Sequence, residues 1–157
     1  MTSLLRALAV ALGALCLVAS GCGSGSDAKK SNDYIDAVNK VQNTFVSDVQ
    51  KVGSSTSTGG DATAAAHKTF ADLQTAVEKA INDLKGVTPP DKVKTLHKQL
   101  VQEMSDFDGE VKAAGDSLNS KDAKKILAAQ AKFASAASSI ETRLSTTLDA
   151  INKKLQG

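Results

Sequence analysis

The amino-acid sequence predicts an all-α protein, an antiparallel up-down-up-down four-helix bundle, and three observations support this prediction. Four segments carry apolar residues at steps of three and four, the spacing that lines one face of an α-helix. Turn-forming residues separate these segments, and the shortest connections force neighbouring helices to run antiparallel. The chain has only 2 Pro and no long β-branched run, whereas Ala, Lys and Leu are abundant. A length of 157 residues is enough for one such domain.

The first predicted helix runs from about Asn32 to Val52, with Ser31 or Asn32 as its N-cap. Its apolar face comprises Tyr34, Val38, Val41, Phe45, Val49 and Val52. This segment is the shortest and most β-branched of the four, which leaves open a three-helix arrangement in which it is loose. The second predicted helix starts after Asp61 and ends at Gly86. Its apolar face comprises Ala66, Phe70, Leu73, Val77, Ile81 and Leu84.

The third predicted helix has Thr88 as its N-cap, Pro89 at its first position and Asp91 bonding back in a capping box. It continues to Leu118, and the fourth helix covers residues 120–155. The face of the third comprises Val93, Leu96, Leu100, Met104, Phe107, Val111, Ala114 and Leu118. The face of the fourth comprises Leu127 or Gln130, then Phe133, Ala137, Ile140, Leu144, Leu148, Ile151 and Leu155.

Ahead of these helices lies a segment with the features of a secretory signal. Residues 1–6 carry one positive charge, and residues 7–19 are apolar throughout. Thirteen helical residues span about 20 Å, which is short of the roughly 30 Å of a hydrocarbon core. The apolar stretch therefore has the length of a signal-peptide core rather than that of a transmembrane helix.

The residues that follow, Ala19-Ser20-Gly21-Cys22, place small side chains before a cysteine directly after the apolar stretch. Residues 1–26 thus resemble the lipobox region of bacterial lipoprotein precursors, with Ala19 where Leu is commonest. In that family the cysteine thiol is acylated with diacylglycerol, and a dedicated signal peptidase cuts just before it. The resemblance implies that Cys22 is the lipid-attachment residue.

This resemblance divides the chain into three parts. Residues 1–21 are the predicted signal peptide, residues 22–30 the lipidated cysteine and a flexible tether, and residues 31–157 the bundle. The alternative is ordinary secretory cleavage, which leaves Cys22 as a free thiol. Cys16 lies inside the apolar stretch and would be removed in either case.

The composition excludes several function classes. A net charge of +2, from 19 Lys and Arg against 17 Asp and Glu, does not indicate a nucleic-acid partner. His67 and His97 are the only histidines, and neither follows a glutamate at the spacing of a di-iron bundle. A zinc site needs three or four ligands, and two histidines with scattered acids make a weak case for one, so we expect no metal or cofactor. No nucleophile elbow or phosphate-binding glycine loop is present, and we therefore expect no catalytic residues and no enzyme.

The remaining charged and titratable residues favour structural interpretations. His97 neighbours the apolar face of the third helix, which predicts a half-buried structural histidine, whereas His67 is predicted on a solvated flank. Residues 106–110 begin like a calcium loop but lack its twelfth-position glutamate, which favours a solvated helix face. Glu103, Asp106 and Glu110 share that face and could receive a basic partner or a divalent cation. Gly109 indicates a helix kink, a close helix contact or simple tolerance of glycine.

The chain as a whole is similar to small helical lipoproteins of the bacterial envelope whose function is unknown. We therefore expect a non-enzymatic interaction or structural module, lipid-anchored on the extracytoplasmic face of the cell membrane through Cys22, with a possible envelope protein partner. The alternative is a sensory or carrier bundle that holds a small ligand or metal between its helices. The phenylalanines separate the two, because one lies on each helix and all are predicted in one or two adjacent core layers. Interlocked rings favour the interaction module, and a ring-lined cavity favours the ligand carrier.

The topology also predicts which ends of the helices lie together. The first helix starts close to the anchored cysteine, so antiparallel alternation places residues 87–90, Lys153 and Lys154 at that same end. Residues 53–60 and 119–120 are predicted at the far end, where contact with a partner protein is expected. Lysines near the anchored end could attract anionic lipid, partly offset by neighbouring aspartates. The lysines are Lys29, Lys30, Lys92, Lys94, Lys153 and Lys154, and the aspartates are Asp27, Asp33, Asp91 and Asp149.

Overall fold

The computed structural model describes residues 26–54, 62–120 and 122–156, and within these ranges it contains four α-helices and no strand. The helices are α1 (Ser26–Ser54), α2 (Ala62–Gly86), α3 (Lys94–Ser117) and α4 (Ala123–Gln156), and a 3-10 turn (Asp91–Val93) precedes α3. Each helix packs against its neighbour in the chain. The prediction of a four-helix bundle is confirmed, and the first segment is not loose.

The antiparallel arrangement is visible at one end of the bundle. The ammonium of Lys92 donates to the backbone carbonyl of Leu155 at 3.1 Å, which joins the α2–α3 connection to the end of α4. Lys30, in the first turns of α1, lines the same surface groove as Pro89 and Pro90. The start of α1, the α2–α3 connection and the C-terminus therefore lie together, as predicted. We call this the N-terminal end of the bundle.

The predicted apolar faces form the core. Most of their residues are buried, and Val49, Val77, Val111 and Ile151 are fully enclosed. The half-buried members are Val41, Ala66, Leu96, Leu118 and Leu155. Of the two candidates at the start of the fourth face, Gln130 is half-buried, whereas Leu127 is 65% exposed. Ile126 is half-buried in its place, since it lies seven residues before Phe133 and therefore on the same face of α4. None of the described helices combines the length and apolar character needed to cross a membrane.

The start of α1 differs from the prediction. The helix begins at Ser26, so residues 26–30 of the predicted tether are helical and Ser31 and Asn32 are not caps. Asp27 lies in the first turn, where the helix dipole favours a negative charge. Lys29 pairs with Asp33 at 2.6 Å, an i,i+4 pair that supports the added turn.

The starts of α3 and α4 were also predicted imperfectly. Thr88 does not cap α3, because Pro90 disfavours helical backbone at Pro89 and the chain turns helical only at Asp91–Val93. The helix α4 starts at Ala123 rather than near Ser120. The carboxylate of Asp122 accepts the backbone N–H of Lys124 at 2.9 Å and so caps this helix.

Candidate functional site

The predicted lipid-attachment residue, Cys22, lies outside the described residues. The helix α1 begins four residues later, at Ser26, at the N-terminal end of the bundle. Aspartates pair with several of the lysines at this end: Lys94 lies 2.6 Å from Asp91, and Lys30 lies 3.9 Å from Asp27. Lys153 and Lys154 are exposed in the last turn of α4.

Tyr34 and His97 form a buried polar pair that links three helices near this end. The Tyr34 hydroxyl lies 3.2 Å from Nδ1 of His97, and Nε2 of His97 lies 3.1 Å from the backbone carbonyl oxygen of Leu84. A carbonyl oxygen can only accept, so Nε2 carries the proton and the lone pair of Nδ1 accepts the tyrosine hydroxyl. Tyr34 on α1, Leu84 on α2 and His97 on α3 are thereby joined.

The burial of this pair fixes its protonation state. Tyr34 and His97 are 2% and 6% exposed. Desolvation lowers the pKa of His97 below its ordinary value of 6.5, and it raises the pKa of the Tyr34 hydroxyl. Both side chains are neutral at neutral pH, and both atoms of His97 that can form hydrogen bonds are used. The prediction of a structural histidine is confirmed, although His97 is buried rather than half-buried.

Glu103 was predicted on a solvated face, and this prediction is wrong. The residue is 3% exposed, because α4 packs across it. Its Oε1 accepts the amide of Gln99 at 3.0 Å and the hydroxyl of Thr147 at 3.1 Å. The guanidinium of Arg143 lies 3.9 Å from the same oxygen. The other carboxylate oxygen, Oε2, is buried without a hydrogen-bond partner.

The other acids of that face receive basic partners from within the chain. Arg143 donates to Asp106 at 3.0 Å, and Lys132 lies 3.0 Å from Glu110. Hydrogen bonds from Gln102 and then Arg143 lower the pKa of Asp106. Asp106 and Glu110 are thus both paired with basic side chains of α4.

Residues 106–110 are part of continuous helix α3, as the helical interpretation predicted. A side chain added at Gly109 would meet nothing within 4 Å, so this glycine is simply tolerated. Burial, and then the nearby Glu78 carboxylate, raises the pKa of Asp108. No group of three or more potential metal ligands stands together in the described part of the chain.

The phenylalanines occupy the middle of the core. Phe70 meets Phe133 edge to face at 5.3 Å between ring centroids, and Phe107 stacks on Phe133 at 6.1 Å. Phe45 is buried in the adjacent part of the core, beside Met104, one turn from Phe107. A narrow apolar cavity of about 40 Å³ lies there, between all four helices. The predicted clustering is confirmed for three rings, Phe70, Phe107 and Phe133, which interlock. Phe45 is buried but lines this small cavity instead of meeting the other rings.

Sequence reasoning missed three residues of the buried polar centres: Tyr34 as a hydrogen-bond donor, Thr147 and Arg143. Tyr34 was predicted only as an apolar face residue, and its partner lies 63 positions away. Thr147 directly precedes Leu148 of the apolar face, which is the one local signal for its burial. Arg143 is the sole arginine after Cys22, a signal that this position requires a planar, multiply bonding cation.

Comparison of the chain with protein-family models, with curated proteins and with solved structures found no match.

Proposed function

We propose that this protein is a bacterial envelope lipoprotein, anchored through an acylated Cys22 on the extracytoplasmic face of the cell membrane. The observation that carries the proposal is the position of Cys22, directly after the apolar residues 7–19 and the small residues Ala19-Ser20-Gly21. The bundle itself acts as a non-enzymatic interaction or structural module, with an envelope protein as its possible partner.

The position of α1 is compatible with such an anchor. Ser26, where α1 starts, lies four positions after Cys22, and a fully extended chain spans at most about 14 Å over four steps. The N-terminal end of the bundle would then stand next to the bilayer. Lys153 and Lys154, exposed at that end, would face anionic headgroups.

The packing of the core favours the interaction module over a carrier that holds its ligand between the helices. Pockets for small organic ligands are about 300–1,000 Å³, whereas the cavity beside Phe45 measures about 40 Å³. The contacts of Phe133 with Phe70 and Phe107 fill the neighbouring layer. An envelope partner would instead contact the surface of the bundle. The expected contact is residues 53–60, of which residues 55–60 lie outside the described residues.

The anchor is tested by replacing Cys22→Ser in the full chain, with Cys16→Ser as the matched control. We expect the wild type and Cys16→Ser to be processed, to incorporate a fatty-acid label and to fractionate with membranes. Cys22→Ser should lose the label, remain unprocessed and lose the lipid-dependent membrane association. A Cys22→Ser protein that is cut normally and still carries the label would refute the lipoprotein proposal.

A further inference from the structure

A surface groove of about 740 Å³ lies between α1, α2 and the connection that follows α2, at the N-terminal end of the bundle. We call it the α1–α2 groove. Its volume falls within the range of about 300–1,000 Å³ that is usual for the sites of small organic ligands, whereas the cavity in the core, at about 40 Å³, does not. Most of the surface that the groove exposes is apolar.

The apolar floor of the groove is built from two elements. The helix α1 contributes Tyr34, Ala37 and Val41, and the connection after α2 contributes Val87, Pro89 and Pro90. The three residues of α1 follow one another at steps of three and four, so they lie on one face of the helix. Tyr34 is buried beneath the floor, and the other five residues are half-buried. The floor therefore leaves apolar surface in contact with water, which an apolar ligand would cover.

The groove is long enough for an acyl chain. Its lining residues on α1 run from Lys30 to Thr44, a rise of about 21 Å along the helix. Two layers of acyl chains make up the roughly 30 Å hydrocarbon core of a bilayer, so one chain extends about 15 Å. An alkyl chain of this length fits within the groove.

The charges of the groove cancel, since two lysines and two aspartates line it. Lys30 and Asp33 are paired with neighbours on α1, at 3.9 and 2.6 Å. The side chains of Lys40 on α1 and Asp83 on α2 are exposed and form no ion pair or hydrogen bond with another residue that the structure describes. These two opposite charges stand on opposite walls of the groove. A ligand with one positive and one negative charge satisfies both, whereas a ligand with a single charge meets an unpaired like charge across the groove.

We propose that the α1–α2 groove binds a zwitterionic phospholipid, with one acyl chain on the apolar floor and a phosphoethanolamine headgroup between Lys40 and Asp83. The Lys40 ammonium donates to the phosphate, and the Asp83 carboxylate accepts from the ammonium of the ethanolamine. The side-chain oxygen of Asn82, which also lines the groove, is a further acceptor for that ammonium.

The length of the groove sets the direction of the acyl chain. From Lys40 back to Lys30 the helix α1 rises about 15 Å, which matches the extent of one acyl chain directed toward the N-terminal end of the bundle. The site does not depend on the anchor proposed at Cys22, although that anchor would bring the groove next to the bilayer.

The proposal is tested with lauroyl lysophosphatidylethanolamine, a single-chain probe, titrated below its micelle concentration into the ¹⁵N-labelled full chain. We expect saturable shifts of the backbone amide signals of Ala37, Val41 and Val87 and of the side-chain amide of Asn82, with a Kd on the order of 10 μM.

Two reference compounds separate the contributions of the acyl chain and the headgroup. Glycerophosphoethanolamine lacks the acyl chain and should bind about a hundredfold more weakly than the probe, because it leaves the floor uncovered. Lauroyl lysophosphatidylglycerol has the same chain on an anionic headgroup. It should bind about fivefold more weakly than the probe, because Asp83 then has no cation to accept from.

Two variants connect this binding to the two charges of the groove. Asp83→Asn should weaken binding of the probe about fivefold and abolish its preference over lysophosphatidylglycerol. Lys40→Gln should weaken binding of both lysolipids about fivefold, because both carry a phosphate. Both side chains are exposed, so both variants should keep the fold. The matched controls are Asp149→Asn and Lys98→Gln, exposed residues outside the groove lining, and they should bind the probe like the wild type.

Three outcomes would overturn the proposal. The first is a set of shifts that does not saturate or that is centred away from the groove. The second is equal affinity of the wild type for the two lysolipids, and the third is unchanged binding of the probe in both Asp83→Asn and Lys40→Gln. Any of these would mean that the groove does not select a phosphoethanolamine lipid, whereas acylation of Cys22 is tested separately by the fatty-acid label.

Discussion

The two buried polar centres of this bundle differ in how completely their hydrogen bonds are satisfied. In the centre of Tyr34 and His97, a hydroxyl, two ring nitrogens and a backbone carbonyl match one another, and no charge is buried. In the centre of Glu103, three donors approach one carboxylate oxygen and none reaches the other. Both centres join helices across the core.

This difference predicts that the two centres contribute unequally to stability. A matched neutral pair fixes the relative positions of helices at little cost in desolvation. A buried carboxylate with an unmatched oxygen adds little to stability, because its hydrogen bonds are offset by the desolvation of the charge. Substitutions in the two centres should therefore have unequal effects on the free energy of unfolding.

The largest effect is expected from His97→Leu. Leucine fills a similar volume but leaves the Tyr34 hydroxyl buried without an acceptor, so the free energy of unfolding should fall by about 2 kcal/mol. Urea unfolding, followed by circular dichroism, measures this change.

The double variant Tyr34→Phe, His97→Leu is the control, because it removes both polar partners at once. Its stability should return to within about 1 kcal/mol of the wild type, since no orphaned polar group remains in the pair. A double variant that is less stable than His97→Leu alone would contradict the orphaned-hydroxyl explanation.

An intermediate effect is expected from acid. Burial holds the pKa of His97 below 6.5, so the unfolded chain takes up a proton at this residue before the folded protein does. The stability contributed by neutral His97 is therefore complete above about pH 6.5 and declines as the pH falls below it, by at most about 1.4 kcal/mol per pH unit.

Thermal unfolding between pH 5 and pH 7.5 measures this dependence. In His97→Leu, the melting temperature should vary less with pH over that interval than it does in the wild type. The carboxylates whose pKa values are lowered, Asp48, Asp91 and Asp106, lose their contribution only below about pH 3.8, in a separate window. If the melting temperature of the wild type were already constant from pH 5 to 7.5, His97 would accept a proton in the folded protein without loss of stability.

The smallest effect is expected from Glu103→Gln. The amide keeps an oxygen in reach of Gln99 and Thr147, and it removes a charge from the interior, so the two changes should offset each other. We expect the free energy of unfolding to change by less than about 1 kcal/mol in urea titrations. A loss of 3 kcal/mol or more would place Glu103 with His97, as a residue that holds the helices together.

Helix positions and core faces follow closely from the sequence, whereas helix starts do not. The steps of three and four predicted buried residues such as Phe70, Phe107 and Phe133, because a helix with that pattern must bury its apolar face against other helices. Thr88 was assigned to a cap because its type suited one, but two consecutive prolines prevent helical backbone at Pro89. At the start of the fourth face the sequence left Leu127 or Gln130 open. The structure half-buries Gln130 and exposes Leu127, and it also half-buries Ile126, seven residues before Phe133.

The candidate sites were less predictable, because their members come from different helices. Glu103 flanks the apolar face of α3, a position that is exposed on an isolated helix. Its burial depends on Thr147 and Arg143, which arrive with α4 from about forty residues away. Tyr34 and His97 are 63 residues apart, and nothing local to either specifies the other.

By itself, the sequence determined the helical class, the four helices, their core faces and their antiparallel order, because the hydrophobic period and the short connections act within one helix or between adjacent helices. Only the tertiary structure decided which polar side chains are enclosed and which of their atoms find a partner. That outcome depends on the rotation of each helix about its axis and on the side chains that its neighbours bring. Tyr34 and His97 are matched for this reason, and Oε2 of Glu103 is not.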